Sequence, residues 1–252
     1  MPIMPQFKAA LFISQQSISK NTKPFSDLVY DLWSQASDEI DNLPTNLEIT
    51  SINLNFEAYI SDAWQFLSVT EKNRANKFTD KNNMAAFILA HASLRLLLGQ
   101  EHEIRPLDIN FLIGQHGKPS LKFGAISTPF NISYSKDAFA IVIGSSDVGI
   151  DIETLRNDFD LYGIAKKMFT SNEIGKLNRF VSDAETLINF FEIWTRKEAV
   201  IKLFGAKLED MPYFSLPNEK NSIIDYPWTN KRCYSYPLEV KRNYALAVAF
   251  CI

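Results

Sequence analysis

Cysteine and histidine are scarce in this chain. Two cysteines, Cys233 and Cys251, and three histidines occur among 252 residues. Neither cysteine lies in a Cys-x-x-Cys or Cys/His cluster, which argues against a zinc site or a disulfide framework. Reduced thiols and a cytoplasmic setting are therefore expected. A large charge excess is also missing. The formal net charge is −3, so neither nucleic acid nor an anionic membrane is an expected partner. Any anionic ligand must be met by local positive charge. Long apolar runs are absent too: Ala138–Ile143 and Ala245–Phe250 are strand-sized, far short of the roughly 20 residues of a membrane span. The opening Met1-Pro2-Ile3-Met4-Pro5 lacks the basic and long apolar regions of a signal peptide. His91, His102 and His116 form no pattern that suggests catalysis, and none is given a role.

What is present is ordinary for a globular protein, with 46% hydrophobic and 22% charged residues. The length suits one large domain or two small ones. Residues 1–46 read as an N-terminal extension packed on the first of two lobes, with a strand at Phe7–Ile13, a helix near Ser26–Ile40, and a solvated acidic end at Asp38, Glu39 and Asp41. From residue 47 the pattern is more regular. Leu47–Phe56 alternates like a half-buried strand. Ser68-Val69-Thr70-Glu71 is a capping box before a short helix reaching Phe78. Asp80 caps a longer helix that Gly99 ends. Strands come next at Leu121–Phe123, Phe130–Tyr134 and Ala138–Ile143, the last two joined by a turn at Ser135-Lys136-Asp137. Then the order recurs: a strand at Val148–Glu153, a capping box at Thr170-Ser171-Asn172-Glu173 with a short helix ending near Phe180, a long helix from about Ala184 to Phe204 ended by Gly205, and strands Glu239–Lys241 and Tyr244–Cys251. The recurrence predicts an α+β pseudo-dimer of two similar lobes, 47–146 and 147–252, each a small, mostly antiparallel sheet on a long helix.

Two segments carry candidate chemistry. In Val148-Gly149-Ile150-Asp151-Ile152-Glu153 the strand period puts Asp151 and Glu153 on one face and the isoleucines on the other. Two such acids suit a hard cation such as Mg²⁺; a solvated acidic face would give the same pattern. In the segment Phe190–Gly205 of the long helix and its end, the stripe Phe190, Phe191, Trp194 and Ile201 reads as core. Glu198 falls on or beside that stripe, where a charge needs a partner or a metal. An ordinary Glu198–Lys202 pair one turn apart is the competing explanation. Taken together, Asp151, Glu153 and Glu198 could hold one ion, with Lys197 and Lys202 bringing positive charge to it, which is equipment for phosphoryl chemistry.

The segments Gly117-Lys118-Pro119-Ser120-Leu121, Phe130-Asn131-Ile132-Ser133-Tyr134-Ser135, Val148-Gly149-Ile150-Asp151-Ile152-Glu153 and Trp194-Thr195-Arg196-Lys197-Glu198-Ala199-Val200-Ile201-Lys202 together resemble the two-lobed, Sfp-type 4′-phosphopantetheinyl transferases. The likeness covers roughly residues 47–252. It implies a cleft between lobes that binds coenzyme A, with Asp151, Glu153 and Glu198 on Mg²⁺. It further implies that Glu198 is the base for a serine of an acyl or peptidyl carrier protein, and that Lys202 lies on the diphosphate. Lys118, Ser133 and Tyr134 are placed on coenzyme A by the same likeness, with Lys197 adding charge, and Arg74 and Lys77 meet the 3′-phosphate side. A monomer is expected. The chain departs from the family where Tyr134 replaces a frequent histidine, and where Ala86 and Phe87 replace polar residues beside the cofactor. These departures bear on 3′-phosphate affinity rather than on reaction class. A Mg²⁺-dependent phosphohydrolase and a non-catalytic carrier-protein binder are the competing functions.

Overall fold

The computed structural model describes residues 7–15, 23–36, 47–48, 50–114, 116–121, 127–217, 223–240 and 243–251. It is an α+β structure with mixed sheets. The strands are β1 (Phe7–Ser14), β2 (Leu47–Glu48), β3 (Thr50–Leu54), β4 (Phe111–Ile113), β5 (Pro119–Leu121), β6 (Phe130–Ser135), β7 (Ala138–Gly144), β8 (Val148–Thr154), β9 (Ile224–Asp225), β10 (Arg232–Glu239) and β11 (Tyr244–Cys251). The helices are α1 (Phe25–Gln35), α2 (Phe56–Trp64), α3 (Val69–Ala75), α4 (Lys81–Glu101), α5 (Leu161–Met168), α6 (Ser171–Leu177) and α7 (Asp183–Phe204).

One sheet has the order β3-β1-β7-β6 and a second the order β2-β10-β11-β8, with β9 on β10. Strand β1 is an interior strand, parallel to β3 and antiparallel to β7. Residues 7–14, read from sequence as part of an extension, therefore supply the middle of a sheet. Strand β7 shows why Ala138–Ile143 is apolar throughout. Phe139 and Ile141 face the core under α1, α2 and α4, while Ala138, Ala140 and Val142 face a second core shared with β8, β10 and β11. A strand buried on both faces needs no polar alternation. A third core lies between the second sheet and α7.

The two sheets meet edge to edge at β6 and β8, joined by side chains instead of a backbone ladder. Asn131, Ser133 and Ser135 alternate along β6. Their side-chain oxygens accept the N–H groups of Ile150, Ile152 and Thr154 at 3.0, 3.3 and 3.1 Å. Three side chains thus satisfy the backbone donors of what would otherwise be an open edge.

Several local expectations need correction. Leu47–Phe56 is not one strand: β2 pairs with β10 in one sheet, β3 pairs with β1 in the other, and Asn55 starts α2 by accepting the Ala58 N–H. Asp160 likewise caps α5, which the sequence pattern did not reveal. Helix α4 runs two residues past Gly99. A side chain there would meet the Ile104 carbonyl oxygen at 2.6 Å, so the glycine permits a close approach and does not end the helix. Gly205 does end α7, at φ 58°. The short helices stop at Ala75 and Leu177. Asp38, Glu39 and Asp41 lie outside the described residues, as do residues 122–123 and 241 of the expected strands. No helix among the described residues is long and apolar enough to cross a membrane.

Candidate active site

The acids converge because two elements can pack unusually close. Gly149 on β8 lies against α7: a Cβ at that position would sit 2.1 Å from the Ala199 carbonyl oxygen and 2.5 Å from the Leu203 nitrogen. No other residue allows that approach. Two residues further on, Asp151 and Glu153 share one face of β8, and Glu198 reaches them from α7. The three offer carboxylate oxygens that all lie within 4.8 Å of one another. Asp151 is 2% exposed and the two glutamates are half-buried.

The electrostatics arise from crowding. Burial, and then the charge of Asp151, push the Glu153 carboxyl up to about 7. The same two causes, with Glu153 adding to them, push Glu198 up to about 8, against the pull of Lys202 and a hydrogen bond with Trp194. Lys202 is the local counter-charge. Its ammonium donates to Asp151 Oδ1 at 2.6 Å and to Ser133 Oγ at 2.8 Å, and lies 4.0 Å from Glu198. Burial opposes its charge, but Asp151, Glu198 and Glu153 outweigh that and raise its pKa. Asp151 Oδ2 is buried with no hydrogen-bond partner. An orphaned carboxylate oxygen beside two further carboxylates, with no sulfur or nitrogen donor in the set, fits a hard, oxygen-seeking divalent cation.

A cavity of about 580 Å³ adjoins this cluster, a size that suits a small-molecule ligand. Its lining includes Arg74, His91, Lys118, Ser133, Tyr134 and Lys202. The residues expected at a cofactor divide into two groups. Arg74 and Tyr134 reach the cavity together: the guanidinium donates to the Tyr134 hydroxyl at 3.4 Å and lies 5.1 Å over the Phe87 ring. Phe87 itself is fully buried, as is Ala86, and supports Tyr134 edge-on from beneath.

Lys77, Lys118, Ser133 and Lys197 have other surroundings. Lys77 is exposed and does not line the cavity; α3 ends at Ala75, so Lys77 no longer stacks one turn after Arg74. Lys118 lies on the wall, but its ammonium donates to the carbonyls of Val148 and Leu203 at 3.1 and 2.8 Å, tying β8 to α7. Ser133 spends its hydroxyl within the protein, donating to Asp151 Oδ1 at 2.9 Å while accepting from Ile152 N–H and Lys202. It positions the acid. Lys197 points away from the acids altogether. It is fully buried, pairs with Glu173 Oε2 at 2.8 Å, and donates to the Phe214 carbonyl at 2.6 Å. Adjacent residues on a helix diverge by about 100°, so Lys197 and Glu198 cannot serve one ion.

Sequence reasoning missed Asn131 and Ser135, whose signal was the polar alternation of β6. It also missed Glu71 and His91 at the cavity wall. The capping box identified the first job of Glu71, but not the second, as acceptor for Arg95 Nε at 2.7 Å with His91 Nδ1 at 3.1 Å.

Residues 147–249 match the model of the 4′-phosphopantetheinyl transferase superfamily. The 4′-phosphopantetheinyl transferase HetI of Nostoc sp. is 34% identical over 177 residues, covering 68% of this chain and 74% of the relative. A 4′-phosphopantetheinyl transferase of Bacillus subtilis is 25% identical over 72% of this chain and 81% of its own length. The transferase gsp of Aneurinibacillus migulanus is 34% identical over 47% of each chain. The matched region contains all three converging acids and Lys202, and on this ground, with the extent of the HetI match, the chain belongs to the 4′-phosphopantetheinyl transferase superfamily.

Proposed function

We propose that the chain moves the 4′-phosphopantetheine arm of coenzyme A onto a serine hydroxyl of an acyl or peptidyl carrier protein. The observation that carries this reading is the meeting of Asp151, Glu153 and Glu198 beside Lys202, at the edge of a cavity large enough for part of a nucleotide. Asp151, Glu153 and Glu198 are the residues to hold the divalent ion, Mg²⁺, which supplies charge neutralisation for the diphosphate when bound.

The chain's own groups do the rest. Glu198 accepts the proton of the carrier serine, directly or through water, as the serine oxygen forms its bond to the pantetheine-bearing phosphorus. The bond from that phosphorus to the bridging oxygen breaks, and adenosine 3′,5′-bisphosphate leaves. The Lys202 ammonium stabilises charge on the departing phosphate. Ser133 holds Asp151, and through it Lys202, in place. Arg74, steadied by Tyr134 and Phe87, faces the 3′-phosphate side of coenzyme A. The two halves are read as lobes of a pseudo-dimer with coenzyme A between them; the recurring capping-box helix and long helix support this. The working unit is a monomer in the cytoplasm.

The test is mass spectrometry of apo carrier proteins from fatty-acid, polyketide and peptide-synthetase systems, incubated with the protein, coenzyme A and Mg²⁺. Addition of one phosphopantetheine to the carrier serine is expected. Release of phosphopantetheine without any carrier would move the assignment to a hydrolase. Binding of carriers with no modification of any of them would leave a non-catalytic binder.

A further inference from the structure

Cys233 and Cys251, far apart in function from the acids, stand directly opposite each other in the antiparallel pair β10–β11. Their side chains share a face. Cys233 belongs to the core beneath α7 together with Ala247 and Ala249, and Cys251 packs against that same core, whereas Tyr234 and Phe250 face the opposite way. The ladder phase is also fixed. The Cys251 N–H points to the β8 side, toward the Asp147 carbonyl at 3.5 Å, and so away from β10. In the same phase along β10, Pro237 has no N–H to give, and the Ser235 carbonyl accepts from Arg196 Nε at 3.2 Å. Cys233 and Cys251 therefore form a non-hydrogen-bonded pair, the closer of the two antiparallel pairings, with Cα atoms about 4.5 Å apart. That separation falls within the span a disulfide bridges, roughly 4.4–6.8 Å. Both thiols are free.

We propose that Cys233 and Cys251 are a reversible redox pair that closes into an intramolecular disulfide when a low-molecular-weight disulfide is supplied. The order of events is set by exposure. Cys251 is half-buried and Cys233 fully buried. Burial pushes Cys233 up to about 12; it also raises Cys251, but the charges of Lys231 and Lys118 work against that rise. The Cys251 thiolate attacks one sulfur of the small disulfide, forming a mixed disulfide and releasing one small thiol. Cys233 then gives up its proton and attacks the Cys251 sulfur, releasing the second small thiol. Two protein thiols are oxidised and one small disulfide is reduced. The bond would fasten the end of β11, the strand between β10 and the acid-bearing β8.

The experiment treats the folded full chain with oxidised glutathione in mildly alkaline buffer, then maps peptides by mass spectrometry after acid quenching. The expected result is loss of two hydrogens, a linked peptide joining Cys233 to Cys251, and reversal by dithiothreitol. An upward shift of the thermal midpoint should accompany closure. Cys233→Ala should stop at glutathione on Cys251, and Cys251→Ser should take up none while folded. Accumulation of the mixed disulfide without closure in the wild-type chain would overturn the proposal, as would disulfides between chains. So would modification of Cys233 in Cys251→Ser at the wild-type rate. If Cys233→Ala does not fold, the wild-type peptide map alone decides. None of these readouts depends on transferase activity.

Discussion

The helix pair α3/α4 and the helix pair α6/α7 are built with the same device and used for different ends. Each short helix opens on a capping box whose glutamate accepts its own cap N–H and also a cation from the long helix, 24 residues later in both cases: Glu71 with Arg95, Glu173 with Lys197. The surroundings differ. Glu173 and Lys197 are fully sealed, and the Phe214 carbonyl and Leu216 N–H complete their shell. Glu71 lies at the cavity wall with His91 as a further partner. The position after Lys197 is Glu198; the position after Arg95 is Leu96, buried in the apolar core. The scaffold recurs while the carboxylate does not, which supports the proposal that the shared ion pairs serve folding and the unmatched acid serves chemistry.

The sharpest test separates neighbours on α7. Glu198→Gln keeps shape and removes the proposed base, so transfer should fall by roughly 10²–10⁴-fold with an unchanged urea midpoint. Asp151→Ala should show a loss of similar scale together with a weakened response to added Mg²⁺. Lys197→Met should instead unfold the chain at lower urea by about 3–5 kcal/mol, because it strands Glu173 in the core. A Lys197 variant that folds normally but is inactive would reverse the division of labour drawn between the two positions.

Next in size is the contrast between the paired glutamates. Glu173→Ala leaves a buried ammonium with only a carbonyl partner and should cost about 3–5 kcal/mol. Glu71→Ala should cost less, since Arg95 still donates to the Pro106 and Ile109 carbonyls. Equal losses in chemical denaturation would show that the cavity-side pair is as sealed as its counterpart.

How much of the molecule was legible in the sequence depends on the range of the interactions. Both capping boxes, the turn at Lys136 and the end of α7 at Gly205 are set by residues within four positions, and they appear where the pattern placed them. The strand and helix periods placed Asp151, Glu153 and Glu198 only relative to their own backbones; that the two elements face one another was implied by the family resemblance and not by local spacing. The partners of Lys118, Ser133 and Lys197 were not legible. Each is decided by a contact with a distant segment, such as the Leu203 carbonyl for Lys118 or the Phe214 carbonyl for Lys197. Local spacing could not show that β6 would meet the N–H groups of β8 with side chains.

The two regions should also part company with pH. Burial tends to raise the Glu71 carboxyl, but hydrogen bonds from His91 and Ser68 and the charge of Arg95 prevail and bring it down to about 2. Its folded pKa is below the unfolded value, so its stabilisation is complete above about pH 4.5 and is lost as pH falls toward 2. Glu153 and Glu198 are shifted upward, to about 7 and about 8. They bind protons more tightly when folded, so their contribution is full below about pH 4.5 and is lost as pH rises through 7 to 8. Thermal midpoints measured with chelator should therefore decline across pH 5–8 by a few degrees, and added Mg²⁺ should remove that decline, since cation binding favours the ionised acids. A chelator-insensitive profile would mean that the acids do not share a cation.

The smallest effects lie at the cavity mouth, where Arg74 and Lys77 look equivalent in sequence and are not in space. Arg74 is held over Phe87 and donates to Tyr134, though at 3.4 Å the hydrogen bond is long. Removing it should raise KM for coenzyme A by roughly 5–20-fold with little change in kcat, the signature of uniform binding, and dephospho-coenzyme A should feel the change less. Tyr134→Phe frees the guanidinium without discharging it and should cost about 0.5–1.5 kcal/mol at most, a shift in KM of a few fold. Lys77→Ala should change neither parameter beyond error, because its side chain is exposed beyond the end of α3 and outside the cavity lining. An equal loss in Lys77→Ala would show that coenzyme A extends past the cavity wall along this surface. Positive charge beyond the helix end would then count as much as positive charge fixed upon it.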